Sequence, residues 1–262
     1  MKHLIIALTF TWLAYGQQAQ PQEGIFFLVD ISGSMTALLP NIGRSIREQS
    51  DAPLLESASL GLISFAGCGK EHVHYLVPLA KNNAQAIKDG TNKLNAYGGT
   101  DLIAPLEFVR GLITKQITET GECANVILFT DNEDTCGNGN RHYAVLKEIQ
   151  SMCANIAREF KLDIISSTVD EPTRLFLDGI AGVTGGKVHD AGTLDEIGTR
   201  IKTIVESRRK SVKGKPLTSK ATKPEETKGG DKPGPTKPQP QAQKLPARQG
   251  KGEKKSEKGG GP

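Results

Sequence analysis

The stretch Phe26-Phe27-Leu28-Val29-Asp30-Ile31-Ser32-Gly33-Ser34-Met35 decides the fold. Four consecutive large apolar residues, with no polar alternation, describe a strand buried on both faces, as a central strand of a parallel sheet is. Asp30, Ser32 and Ser34 then follow at every second position. In an open α/β sheet, ligands gather beyond the carboxyl ends of the strands. Three oxygen-bearing side chains at that place form part of a coordination shell. An N-cap would account for one of the three.

Working outward, further strands are expected at Ser59 to Phe65, His72 to Leu79, Asn125 to Thr130, Leu162 to Thr168 and Lys187 to His189. The second and third of the chain are close enough to pair as a hairpin through Gly67-Cys68-Gly69, giving one antiparallel edge strand. Helical spacing fills the intervals at Asn41 to Gln49, Asn83 to Leu94, Leu102 to Thr114, Tyr143 to Phe160, Arg174 to Val183 and Leu194 to Glu206. In the helix from Tyr143, the residues Val145, Ile149, Met152, Cys153, Ile156, Ala157 and Phe160 share one stripe. Alternating strands and helices predict an α/β, doubly wound, mainly parallel sheet with helices on both faces.

Two other loops offer oxygen donors to the first. Thr100 lies in Tyr97-Gly98-Gly99-Thr100-Asp101, and Asp131 closes the strand at Asn125 to Thr130. Two carboxylates and three hydroxyls make an all-oxygen set, which selects Mg²⁺, with Mn²⁺ or Ca²⁺ as alternatives, over zinc or copper. Asn132, Glu133 and Asp134 could form a second acidic cluster, but acidic residues ahead of a helix also serve its dipole. His72 and His74 fall on one side of a strand without an evident third ligand. Nothing in the sequence shows Ser-His-Asp order, a reactive Cys setting or H-E-x-x-H, so no catalytic residue and no enzymatic activity are expected.

These residues resemble the metal-ion-dependent adhesion site of von Willebrand factor type A domains. Asp30-x-Ser32-x-Ser34, Thr100 and Asp131 match all five positions in order and spacing, over about Gln22 to Ser207. The likeness is nearest to exported bacterial members, which carry segments like Gly98-Gly99-Thr100-Asp101-Leu102 and Thr130-Asp131-Asn132-Glu133-Asp134-Thr135-Cys136. One departure is Asn132, where the family usually has Gly; Asn tolerates left-handed backbone angles. The resemblance implies a Rossmann-like fold and protein binding rather than catalysis. It implies that the hydroxyls contact the metal directly, the aspartates directly or through water, and that one position stays open for a carboxylate of a partner protein. The rival expectation is a structural envelope scaffold whose metal only stabilises the fold.

The remaining segments set the compartment. Residues 1–16 carry Lys2, an apolar run from Leu4 to Ala14 and small residues at Ala14-Tyr15-Gly16, the plan of a cleaved signal peptide. The run is shorter than the ~20 residues of a bilayer span. A secreted, periplasmic or cell-envelope location follows, and the even cysteine count agrees with it. Cys68, Cys123, Cys136 and Cys153 permit three pairings. Placing each at an edge of the sheet favours Cys68–Cys136 and Cys123–Cys153.

Residues 22–207 form the expected domain, and residues 208–262 a disordered Lys/Pro/Gly-rich tail. The tail holds 16 Lys plus Arg against 5 Asp plus Glu, whereas residues 1–207 hold 17 against 24. The overall net charge of +4 therefore conceals an acidic body and a basic tail. Such a tail is either a solvated extension or a salt-sensitive contact to anionic envelope polymers or lipid. With no aromatic residue to stack on bases, it predicts no specific nucleic-acid binding.

Overall fold

The computed structural model describes residues 24–131, 134–137, 140–167 and 170–213. The signal-peptide expectation and the tail beyond Lys213 lie outside the described residues.

Strand β1 (Gly24–Asp30) is buried along its whole length. It pairs in parallel with β2 (Ser59–Phe65) on one side and β4 (Ala124–Phe129) on the other. Beyond β2 lies β3 (Val73–Ala80), the one antiparallel strand, and beyond β4 lie β5 (Leu162–Ser166) and β6 (Val188–Asp190). The order is β3-β2-β1-β4-β5-β6, so the chain reverses direction across the sheet beside β1.

The uninterrupted apolar run has a direct cause. Ile25, Phe27 and Val29 point into one core, Phe26 and Leu28 into another. The first core is covered by α1 (Leu39–Ser50), the short α2 (Pro53–Glu56), α3 (Ala84–Thr91) and α7 (Leu194–Lys213), through residues such as Ile46, Leu55, Ile87 and Ile201. The second is covered by α4 (Ile103–Thr120), α5 (Arg141–Asn155) and α6 (Glu171–Val183), through Val109, Ile149 and Ile180. Among the described residues no helix is long and apolar enough to cross a membrane.

Both disulfides form as the edge placement favoured, Cys68–Cys136 and Cys123–Cys153. Two expectations are corrected. The helix from Tyr143 does not reach Phe160: it ends at Asn155, where Ala157 N–H donates to Ala154 O at 2.9 Å and Arg158 N–H to Cys153 O at 2.9 Å. Those two bonds close the end with Ala157 in the left-handed region, φ 56°. Ala157 is consequently exposed, and Phe160 reaches the core from the following turn. The basic tail does not begin at residue 208, because α7 continues to Lys213. Arg208 is 4% exposed and is bonded to Asp163, and Arg209 donates to Leu54 O and Ser57 Oγ.

The turn from α6 into β6 leaves room for glycine alone. A Cβ on Gly186 would stand 1.9 Å from Leu162 O. Gly186→Ala therefore forces apart the β5 backbone and the α6–β6 turn. We expect a loss of about 3 kcal/mol, seen as a melting temperature lower by roughly 10 °C. An unchanged melting curve would contradict this packing.

Candidate metal centre

The end of β1 delivers Asp30 into the interior, 0% exposed. Its Oδ1 accepts from Ser32 N–H at 2.8 Å, which curls the loop back over the strand end. Its Oδ2 accepts from Thr130 Oγ1 at 2.7 Å and Thr100 Oγ1 at 3.4 Å. Ser32 Oγ lies 3.2 Å from Ser34 Oγ, and Ser34 Oγ donates to Asp131 Oδ1 at 2.9 Å. All five expected residues thus belong to one hydrogen-bonded chain drawn from three loops. Asp30, Ser32 and Thr100 form its buried floor, while Ser34 is exposed and Asp131 half-buried at its mouth.

Glycines bring the loops this close. Gly98 has φ 68°, and its carbonyl accepts from Gly33 N–H at 3.0 Å. A side chain there would combine backbone strain with a 3.3 Å contact to Gly67 N. Asp101, buried beside Thr100, accepts from Ile103 and Ala104 N–H through Oδ1 and so caps the start of α4.

Burial pushes the Asp30 carboxyl up to about 6; the Thr130 hydroxyl and the Ser32 amide and hydroxyl pull it back, and the like charge of Asp131 adds to the rise. An opposite charge placed beside such a carboxylate would favour its ionised form. The donor set contains only hard oxygens, so the residues fit a hard divalent cation.

Three contributors were not singled out from the sequence. Thr130 holds Asp30, and Thr135 brackets Thr100 by accepting from its N–H at 3.1 Å and donating from Oγ1 to its carbonyl at 3.0 Å. Asp101 carries a readable signal, an acid directly before a helix. Thr130 and Thr135 carry none, since hydroxyls at strand ends and in turns are common.

Of the second acidic cluster, Asn132 and Glu133 lie outside the described residues. Asp134 accepts from Cys136 N–H at 2.7 Å and meets His142 Nε2 at 2.8 Å. His72 ends a short 3₁₀ turn instead of lying on β3, and His74 Nε2 is 2.9 Å from Tyr97 Oη. Among the described residues no three or more His, Cys, Asp or Glu side chains gather as a metal cluster.

Residues 25–133, which carry every one of the five oxygen donors, match the family model described as von Willebrand factor type A domain. The fold is a von Willebrand factor type A fold. Solved structures sharing this von Willebrand factor type A architecture include von Willebrand factor type A from Catenulispora acidiphila, at TM-score 0.53 and 17% identity over 71% of this chain and 42% of that one. The pilus adhesin SpaC from Lactobacillus rhamnosus GG, in its open conformation, aligns at TM-score 0.54 and 18% identity over 75% of this chain and 31% of that one. Manganese-loaded Plasmodium vivax TRAP protein aligns at TM-score 0.50 and 19% identity over 71% and 74%. The chain spans less than half the length of the Catenulispora and SpaC structures. No curated protein sequence matches it.

Proposed function

We propose that this von Willebrand factor type A domain is an exported, adhesion-type protein-interaction module. In this reading it captures an acidic group of a partner protein through a divalent cation held by Asp30, Ser32, Ser34, Thr100 and Asp131. The observation that carries the proposal is the single hydrogen-bonded chain joining those five residues from three loops. A bound dication, Mg²⁺ first and Mn²⁺ or Ca²⁺ in its place, would supply attraction for an anionic oxygen.

The chain's own residues do the rest. Asp30 sets negative charge at the floor, the three hydroxyls add oxygen donors without further charge, and Asp131 places the second carboxylate at the mouth. Two carboxylates bring a dication to formal neutrality without surplus negative charge, so the set itself does not repel an anionic ligand at a remaining coordination position. The reading draws support from a pilus adhesin and a manganese-loaded protein among the structures of the same fold. Two disulfides agree with an oxidising compartment. Residues 1–16 would direct export, and the basic tail would hold the protein near anionic envelope polymers or lipid.

A scaffold role has one observation in its favour: the same side chains already tie three loops together by hydrogen bonds. Capture of envelope proteins by the immobilised full chain separates the two readings. A module that works through its cation retains partners in Mg²⁺, releases them in EDTA and recovers them in Mn²⁺. Capture indifferent to EDTA, with only a lower melting temperature, leaves the scaffold.

A further inference from the structure

The two disulfides occupy unlike surroundings. Cys123, just before β4, and Cys153, on α5, are 8% and 0% exposed and packed in the same core. Cys68 lies exposed in the loop between β2 and β3, and Cys136 is half-buried in the loop after Asp131.

The residues flanking this outer disulfide grip the Thr100 loop one residue at a time. Gly67 N–H donates to Gly99 O at 2.6 Å, Gly69 N–H donates to Asp101 Oδ2 at 3.0 Å, and Thr135 N–H donates to Thr100 O at 3.0 Å. Cys136 Sγ itself lies 3.3 Å from Thr100 O. Gly99, Thr100 and Asp101 are therefore each bonded to a neighbour of Cys68 or Cys136. The disulfide joins the two sides of that grip. The loop gripped in this way carries the only one of the five oxygen donors that comes from neither the β1 nor the β4 strand end.

We propose that Cys68–Cys136 is a thiol-exchange site whose oxidation state sets how firmly the chain presents Thr100, and thereby how tightly it binds a divalent cation. The proposal rests on the cation-site reading given above. Its substrate class is an external dithiol. One thiolate attacks Cys68 Sγ, the S–S bond breaks, and the electron pair leaves on Cys136 Sγ, which takes a proton from water. The second thiolate then attacks the external sulfur of the mixed disulfide and frees Cys68, which is protonated in turn. The cystine is reduced and the dithiol oxidised. The buried Cys123–Cys153 pair stays closed, so the two cores remain assembled while the Thr100 loop loosens.

Coupling of this kind is reciprocal. If oxidation raises cation affinity about tenfold, saturating cation makes the disulfide about tenfold harder to reduce, a shift of about 30 mV for a two-electron couple. The experiment equilibrates the full, oxidised chain in graded dithiothreitol redox buffers, with saturating Mg²⁺ or with EDTA. Alkylation and peptide mapping then follow each cystine. Mn²⁺ uptake by the oxidised and reduced forms is read by electron paramagnetic resonance.

The expected result is selective opening of Cys68–Cys136 at a midpoint about 30 mV more reducing in Mg²⁺, with Mn²⁺ affinity about tenfold lower in the opened chain. Identical midpoints in a chain whose oxidised form takes up Mn²⁺ overturn the clasp and leave the cation site standing. No Mn²⁺ uptake by the oxidised chain overturns both. The double variant Cys68→Ser with Cys136→Ser, checked for native circular dichroism, is expected to show the same tenfold loss. Wild-type affinity in that folded variant also overturns the clasp.

Discussion

Asp131→Ala is expected to lower Mn²⁺ and Mg²⁺ affinity by about 100-fold or more and to abolish capture of partners, while the fold persists. Loss of a group that merely supports a metal ligand costs about 10–100-fold, and Asp131 supplies one of only two carboxylates in the set. Its structural cost is small. The side chain is half-buried at the mouth and, among the described residues, accepts from Ser34 Oγ. Such a hydrogen bond contributes about 1 kcal/mol. Titration of the variant with Mn²⁺, beside its thermal melt, separates the two effects. Mn²⁺ uptake equal to that of the parent would remove Asp131 from the site. Asp30→Ala is the less informative substitution, because Asp30 also anchors Ser32, Thr100 and Thr130.

Breaking the Asp163–Arg208 pair is expected to give the largest loss of stability. Arg208 Nη2 reaches Asp163 Oδ2 at 2.5 Å and Val126 O at 3.1 Å, with both residues of the pair under a tenth exposed. Burial alone would push the Asp163 carboxyl up. The His189 imidazole, the Arg208 guanidinium and the Lys187 amide outweigh it and hold the carboxyl down at about 2, below its usual 3.8.

Removing one partner of a buried ion pair costs about 3–5 kcal/mol, so Asp163→Asn and Arg208→Met should each destabilise by that order. The double variant should cost less than the two together, since no lone charge is then left inside. The sign of the pH effect follows from the depressed folded value. The contribution, about 2 kcal/mol, is complete above the unfolded value of 3.8 and is lost as pH falls through the folded value near 2. Denaturant melts of parent and Asp163→Asn should therefore differ most near neutrality and converge between about pH 4 and pH 2. A constant gap across that range would show that the ionised carboxyl is not what holds Arg208.

Where sequence reading succeeded, one local pattern carried the whole answer. The run Phe26 to Val29 can be apolar throughout only if both faces are covered, and that requirement led to the doubly wound sheet and to the placement of Asp30 at a strand end. The disulfide pairing was favoured by the same layout, since an edge assigned to each cysteine points to one of the three connectivities, the one the structure forms.

Where it failed, the deciding partner was distant. Nothing about Ala157 marks a residue with positive φ, so the apolar spacing ran the α5 helix on to Phe160. Arg208 and Arg209 look like the first residues of a solvated basic tail, because charge in a sequence carries no sign of burial. Only the folded chain shows that Arg208 meets a carboxylate 45 residues earlier.

The sequence by itself thus determined the layered α/β architecture and the division of charge into acidic body and basic tail, and it pointed to the five oxygen-bearing side chains that the loops bring together, because each depends on residue type and near spacing. Tertiary structure alone decided that Thr130 bonds Asp30 and Thr135 bonds Thr100, that the residues flanking Cys68–Cys136 bond the Thr100 loop, and that Arg208 of the last helix is held in a buried ion pair. Those depend on which loops meet at a strand edge, and hydrogen bonds across long sequence separations leave no periodic trace in the chain.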